Sequence, residues 1–203
     1  MMHAATNQAR ETDEELMARF QAGDSSAMEE LFARFQKPLF NFFFRMVGCR
    51  ETAEDLVQET FLKVCRFGQT FRGSDAKFTT WLFSVAGNQC RDYLRHRARR
   101  PETILDDNIG LNHSDNQIEP YFETGNSSVE NHLIRVELRN AIEEAINTLP
   151  EKERTAIILR EYHDMEYKEI ADVLGCPIGS VKVLIFRARQ KLKERLGYLK
   201  APA

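Results

Sequence analysis

Between Pro101 and Glu130 the chain carries Glu102, Asp106, Asp107, Asp115, Glu119, Glu123 and Glu130, and no lysine or arginine. From Pro101 to about Ser128 apolar residues lose all helical spacing, and Asn, Asp, Gly, Ser and Pro dominate in IGLNHSDNQIEPYFETGNSS. So long an aperiodic stretch is out of place inside one compact domain. It therefore divides the chain into two. The spacing on both sides predicts an all-α protein of two small helical domains, residues 12–100 and 131–199, joined by a flexible acidic linker over residues 101–130. The second domain, at about 65 residues, is expected to be only modestly stable alone.

In the first segment Met28, Leu31, Phe32 and Phe35 form one apolar stripe, and Leu39, Phe43, Met46 and Val47 another. A third runs through Phe78, Trp81, Leu82, Val85 and Tyr93. Ser26 with Glu29, and Thr52 with Asp55, have the spacing of a capping box and predict two helix starts. Four helices on a shared aromatic-rich core follow. Beyond the linker Leu138, Ile142, Ile146 and Leu149 line one face, and Pro150 and Glu151 suit the first turn of a helix running to about Tyr162.

Composition excludes several classes. A chain of 203 residues that is 42% hydrophobic and 29% charged is ordinary for a soluble protein. The most apolar stretch, Pro38 to Val47, is interrupted by Asn41 and Arg45 before it could cross a hydrocarbon layer of roughly 30 Å. MMHAATNQARETDEE lacks the apolar core of a secretory signal, so a cytoplasmic location and no membrane insertion are expected. Cys49, Cys65, Cys90 and Cys176 occur singly. They predict packed free thiols, with no disulfide framework and no metal site. The net charge of −3 hides an uneven distribution. Lys77, Arg91, Arg95, Arg97, Arg99 and Arg100 face Asp92 alone, and Lys182, Arg187, Arg189, Lys191, Lys193, Arg195 and Lys200 face Glu194. Two basic segments flank an acidic connector.

The most informative segment is YKEIADVLGCPIGSVKVLIFRARQKLKERL, Tyr167 to Leu196. Tyr167, Ile170, Ala171 and Leu174 share one face of a short helix, which Gly175 can end in the left-handed conformation and Pro177 cannot continue. A second helix buries Val181, Leu184, Ile185, Ala188 and Leu192, which leaves Lys182, Val183, Phe186, Arg187, Arg189 and Gln190 outward or edge-on. Two helices joined by a tight glycine-containing turn form a helix-turn-helix, whose second helix enters the DNA major groove. Cations there gain phosphate contacts, Phe186 offers apolar contact to a thymine methyl, and Arg187 offers a fork for guanine.

Phe71 to Arg100, FRGSDAKFTTWLFSVAGNQCRDYLRHRARR, interleaves aromatics with arginines, as single-stranded DNA binding requires. Trp81, Leu82 and Val85 read as core; Lys77, Phe78 and Asn88 read as surface beside the turn at Gly73 and Ser74. Two other functions are compatible with parts of this pattern. A free-standing helix-turn-helix regulator would dimerise on its operator without further partners. A nuclease would need Glu54, Asp55 and Glu59 to hold a metal, but no histidine or second acidic cluster completes such a site.

Taken together these segments resemble the extracytoplasmic-function group of bacterial sigma factors. AEDLVQETFLKV, Ala53 to Val64, is similar to the helix that grips the polymerase clamp. FRG, TTWL and DYLRHRARR are similar to the minus-ten melting and reading region, and LPEKERTAIILREYHDMEYKEIADVLGCPIGSVKVLIFRARQKL to the minus-thirty-five domain. The resemblance implies a non-enzymatic factor, with no cofactor, catalytic residue or small-molecule substrate, that directs promoter-specific initiation. Its implied partners are core RNA polymerase, through the beta-prime clamp helices and beta flap, promoter DNA, and an anti-sigma factor that could hold it at the inner membrane.

By position, the resemblance implies that Asp55, Gln58, Glu59 and Phe61 contact polymerase from the exposed side of their helix. It assigns Lys77, Phe78, Asn88, Arg91 and Arg95 to minus-ten DNA, with Asn88 helping to bind an extruded base. Lys182, Val183, Phe186, Arg187, Arg189 and Lys193 fall to the minus-thirty-five element. The loop between Phe71–Arg72–Gly73 and Trp81 is one residue longer than the family's usual pattern, which leaves the pocket register over residues 76–78 open. Val183 and Leu184 replace residues commonly polar or basic. With no further domain after Leu199, the expectation is a minimal member. The acidic connector is expected to thread a basic channel of the polymerase, on the ground of its charge.

Overall fold

The computed structural model describes residues 11–74, 76–99 and 129–197, and all regular structure in them is helical. The N-terminal unit consists of α1 (Asp13–Gln21), α2 (Ser25–Val47), α3 (Arg50–Phe67), a 3-10 turn at Gly68–Thr70 and α4 (Phe78–Arg99). The C-terminal unit consists of α5 (Val129–Asn147), α6 (Glu151–Tyr162), α7 (Tyr167–Leu174) and α8 (Ile178–Leu196). Most of the acidic connector lies outside the described residues.

The two apolar stripes of the second helix merge. Leu31, Phe35, Leu39, Phe42, Phe43 and Met46 are all buried along α2, which runs unbroken through Pro38 to Gly48. A proline inside a helix costs about 3 kcal/mol or more, so the continuous buried stripe on both sides must offset it. Gly48, at φ +73°, takes the left-handed conformation that ends the helix, and its amide donates to the Phe44 carbonyl.

The capping expectations need correction. The α2 N-cap is Asp24, whose carboxylate accepts from the Ser26 amide; α3 starts at Arg50 behind Cys49, and the Thr52 hydroxyl lies 3.5 Å from the Tyr93 hydroxyl. Capping boxes occur instead at Thr12 with Glu15 and at Glu166 with Glu169. Any short polar residue can serve as a cap once packing fixes the phase of a helix. Asp24 is also held by Arg19, which donates to its carboxylate at 2.5 and 3.0 Å.

The core of the N-terminal unit is aromatic, as predicted. Phe42 meets Phe43 and Phe83 edge-on at 5.4 and 5.5 Å, and Phe78 meets Phe35 and Phe71 edge-on at 5.4 and 5.7 Å. Such pairs add about 1 kcal/mol each to the burial of their rings. Trp81 and Val85 are only partly buried, and Phe83 takes the central place between them. Two polar groups enter this core with partners: Thr60 donates to the Leu56 carbonyl, and Gln89 donates to the Leu56 carbonyl and to Glu59.

The two units are not separate globules. α7 packs on α4 and α6 on α2, and the buried cluster is continuous across the seam. There Arg154 donates to the Met46 carbonyl at 2.9 Å, Arg45 stacks 3.9 Å above the Tyr162 ring, and Val173 faces Gly87. The His163 ring lies 4.6 Å from that of Phe83 and 6.3 Å from that of Phe42. Burial first, and the neighbouring Arg45 second, push His163 down to about 4. Two ion pairs complete the seam, Lys77 with Glu169 at 2.9 Å and Arg91 with Glu151 at 3.3 Å.

Among the described residues no helix is long and apolar enough to cross a membrane. The four thiols are free, but only Cys90 is fully buried; Cys65 is exposed, so it is not packed as expected.

Candidate nucleic-acid interface

The C-terminal helix-turn-helix forms as its residue types dictate. Ile170, Ala171, Val173 and Leu174 are buried on α7, and Gly175 at φ +60° ends the helix with its amide bonded to the Asp172 carbonyl. Pro177, which cannot donate, sits at the N-cap of α8, where no intrahelical donor is required. Val181, Ile185 and Ala188 then bury one side of α8, with Leu184 and Leu192 packed at its margin.

The opposite side faces solvent. Lys182, Val183, Phe186, Arg187, Arg189 and Lys193 are all exposed, Val183 at 46% and Phe186 at 63%, with Ile178 at 43% nearby. Exposed apolar side chains on the first three turns of a basic helix are costly in water unless something covers them. A shallow cleft of about 400 Å³ lies beside them, lined by Lys152, Cys176, Gly179, Ser180, Val183, Leu184 and Arg187. Two cations are tied within the unit: Arg189 donates to Glu161 at 2.6 Å, and Lys191 to Glu153 at 2.8 Å. Lys182, Arg187 and Lys193 have no protein partner among the ion pairs of the described residues, so they are the cations that phosphates or bases reach first.

On α4 and at the residue just before it the predicted set separates. Lys77, Asn88 and Arg95 are exposed and Arg91 is partly so. Phe78 is not available to a base: it is fully buried against Phe35, Phe71 and Trp81, and its amide is held by Glu14 at 2.7 Å. It follows a surface lysine in sequence, but the helix begins at Phe78 itself, so its side chain turns into the core while that of Lys77 stays out, contrary to the surface position expected for it. Asn88 accepts from Arg91 at 2.9 Å, which orients its amide.

On α3, Asp55, Gln58 and Glu59 are exposed on one side. Phe61 is not; it is 6% exposed and edge-on to Phe32 at 4.7 Å. The exposed apolar residues near that surface are Leu62 at 67% and Phe32 at 38%. Position along the helix decides this: Phe61 follows Val57 by four and precedes Val64 by three, so it belongs to the buried stripe. The described residues contain no group of three histidine, cysteine or acidic side chains placed to hold a metal, and Glu54 is paired with Arg50.

Comparison with known proteins adds identity to this geometry. Residues 31–100 match the Sigma-70 region 2 family, and residues 139–192 match the Sigma-70, region 4 family. The chain is 35% identical over 185 residues to the ECF RNA polymerase sigma-E factor of Haemophilus influenzae, covering 91% of this chain and 95% of that one. It is 37% identical over 190 residues to the sigma-E factor of Escherichia coli K12, covering 91% and 94%, and 34% identical over 192 residues to the RNA polymerase sigma-H factor of Pseudomonas aeruginosa, covering 92% and 95%.

Two solved structures are similar over most of their length. CnrH, in complex with the cytosolic domain of CnrY, superposes with a TM-score of 0.65 at 25% identity, covering 93% of this chain and 99% of that one. RpoE of Bartonella quintana, in complex with the anti-sigma factor NepR, superposes with a TM-score of 0.60 at 26% identity, covering 83% and 96%. A basic helix-turn-helix following a basic helical unit, with both family regions in order over nearly the whole chain, makes this protein a member of the extracytoplasmic-function sigma factors, non-enzymatic initiation factors whose region 2 binds the minus-ten element and region 4 the minus-thirty-five element.

Proposed function

We propose that this sigma factor reads the minus-thirty-five element with Lys182, Val183, Phe186 and Arg187, while Lys193 and the Glu161-tethered Arg189 serve the phosphate backbone. The observation that carries this is the segregation on α8, where Val181, Ile185 and Ala188 turn inward and the reading set turns outward. Base edges are met by the N-terminal half of such a helix, and phosphates by cations further along it. Arg187 in the reading half can approach a guanine with two donors; Val183 and Phe186 have nothing to offer but contact with a thymine methyl.

The minus-ten element is met by Lys77, Asn88, Arg91 and Arg95, and not by the buried Phe78. Asn88 supplies an amide that can donate and accept at an unstacked base, and the three cations supply backbone charge. Asp55, Gln58 and Glu59 form the polymerase-facing side of α3 toward the clamp helices, with Leu62 and Phe32 in place of Phe61 as its apolar component. The two DNA-binding domains are taken as residues 12–100 and 131–199, on the ground of the aperiodic acidic stretch between them. The acidic connector's passage through a polymerase channel rests on its charge alone, and contact of region 4 with the beta flap on family resemblance.

The chain then acts in the cytoplasm, where polymerase and promoter are. An anti-sigma factor is the expected regulator, supported by the likeness to RpoE bound to NepR. Footprinting of holoenzyme reconstituted from this chain and core polymerase tests the residue assignments. Arg187→Ala should lose protection upstream at minus thirty-five and Asn88→Ala should lose minus-ten opening. Loss of both signals from either variant would contradict the division of labour.

A further inference from the structure

A buried side chain of α4 reaches the acidic surface of α3. Gln89 follows Asn88 in sequence but turns inward, toward α3, where it is only 3% exposed. A primary amide carries two N–H donors and a carbonyl acceptor, and burying it without partners is costly. Here each group finds a partner. Nε2 donates to the Leu56 carbonyl at 3.2 Å and to Oε2 of Glu59 at 2.8 Å, while Oε1 accepts from the Thr60 hydroxyl at 3.2 Å.

The fold does not need this amide. The Thr60 hydroxyl also donates to the Leu56 carbonyl, at the shorter distance of 2.7 Å, so both groups stay satisfied without Gln89. An apolar side chain of similar length can fill the same space. The bond to Glu59 adds little stability either, because Glu59 is exposed and water serves its carboxylate equally well. What the bond supplies is order. A glutamate on a helix surface samples several rotamers, and a buried donor that cannot move holds this one in place. Among the described residues no cation lies within ion-pair distance of Glu59, so its charge is not neutralised inside the chain. An ionised carboxylate accepts up to about four hydrogen bonds, so the bond through Oε2 leaves Oε1 for a donor from outside.

We propose that Gln89 is a positioning residue for polymerase binding, which holds the Glu59 carboxylate in the arrangement that meets a cationic or N–H donor of the polymerase clamp. The inference rests on the assignment of Glu59 to the polymerase-facing side of α3. It adds a group that never touches polymerase. Ordering a flexible side chain at an interface lowers affinity, and the buried amide does that ordering before polymerase arrives. Gln89 acts only through Glu59, so its contribution disappears when the carboxylate is removed.

A double-mutant cycle in the full chain tests this, with Gln89→Met, Glu59→Ala and both together. Methionine keeps the length of the side chain and removes its hydrogen bonds. Affinity for core RNA polymerase is measured by titrating a fluorescent form of each chain, and the chain concentration needed for half-maximal transcription is read in parallel. Urea unfolding checks the fold of every variant, and Gln89→Leu serves as a second apolar substitution at the same site. Gln89→Met should weaken polymerase binding by about fivefold and raise the half-maximal concentration equally, with the maximal transcript yield unchanged. In the Glu59→Ala background it should cause no further loss. Equal losses in both backgrounds would overturn the proposal, because they mark a general effect on the fold. So would natural affinity in Gln89→Met beside weakened affinity in Glu59→Ala. Natural affinity in Glu59→Ala itself would instead remove the assignment of Glu59 to polymerase, a result distinguishable from the other two.

Discussion

Acidification should loosen this protein through His163. In the folded chain its Nε2 is sealed from solvent with no hydrogen-bond partner, two phenyl rings lie against the imidazole, and the Arg45 guanidinium is close by. Each feature opposes a second proton, which is why the group sits near 4 rather than the ordinary 6.5. The folded form therefore binds fewer protons than the unfolded form between those values. The resulting stability is fully present above the unfolded value and is lost as pH falls through the window toward 4. At about pH 5 the two titration curves, with pKa values of about 4 and 6.5, differ by about 2 kcal/mol; at about pH 7.5 by almost nothing. Asp24, held at about 2 by Ser26 and Arg19, stays ionised throughout and does not contribute.

Urea unfolding at the two pH values gives the magnitude directly. With a slope of about 2 kcal/mol per molar, the midpoint of the natural chain should fall by about 1 M. His163→Phe keeps an aromatic ring between Phe42 and Phe83 and removes the titration, so most of that fall should vanish. An equal fall in both proteins would refute the role given to His163.

Other substitutions probe the remaining links. Arg187→Ala should cost about 1–3 kcal/mol on the cognate promoter and relax preference at one base, whereas Lys193→Ala should weaken all sequences alike, as competition binding with holoenzyme would measure. Replacing minus-thirty-five thymines with deoxyuridine should reduce holoenzyme affinity for the natural chain but not for Val183→Ala with Phe186→Ala; identical losses would remove the methyl contact. Phe42→Ala, which empties a fully buried site touching Phe43, Phe83 and His163, should cost about 3–5 kcal/mol in chemical denaturation. Alkylation of the native chain should label exposed Cys65 and spare Cys90, whose thiol burial pushes up to about 12.

Periodicity revealed the helices and the helix-turn-helix because burial and helix phase are local properties of the sequence. Gly175 and Pro177 marked the turn through backbone constraints that no neighbour can alter, and Val181, Ile185 and Ala188 marked the inner face of α8. Phe61 and Phe78 were misplaced for a shared reason: each lies beside exposed polar residues, and one residue of helix is a rotation of about 100°. The partners across the seam could not be paired from local spacing. Its pairs, Lys77 with Glu169 and Arg91 with Glu151, join residues 92 and 60 apart, and nothing in local spacing relates them. One signal was available, the small Gly87 on a helix otherwise lined with larger side chains, which marks a close approach.

Promoter binding by the purified full chain, with and without core RNA polymerase, examines the central claim most directly. A gel shift on duplex promoter DNA should show a sequence-specific complex, followed by abortive transcripts, only when core is present. Specific binding of equal strength by the chain alone, or a reconstituted mixture that starts no transcript at any promoter, would contradict it.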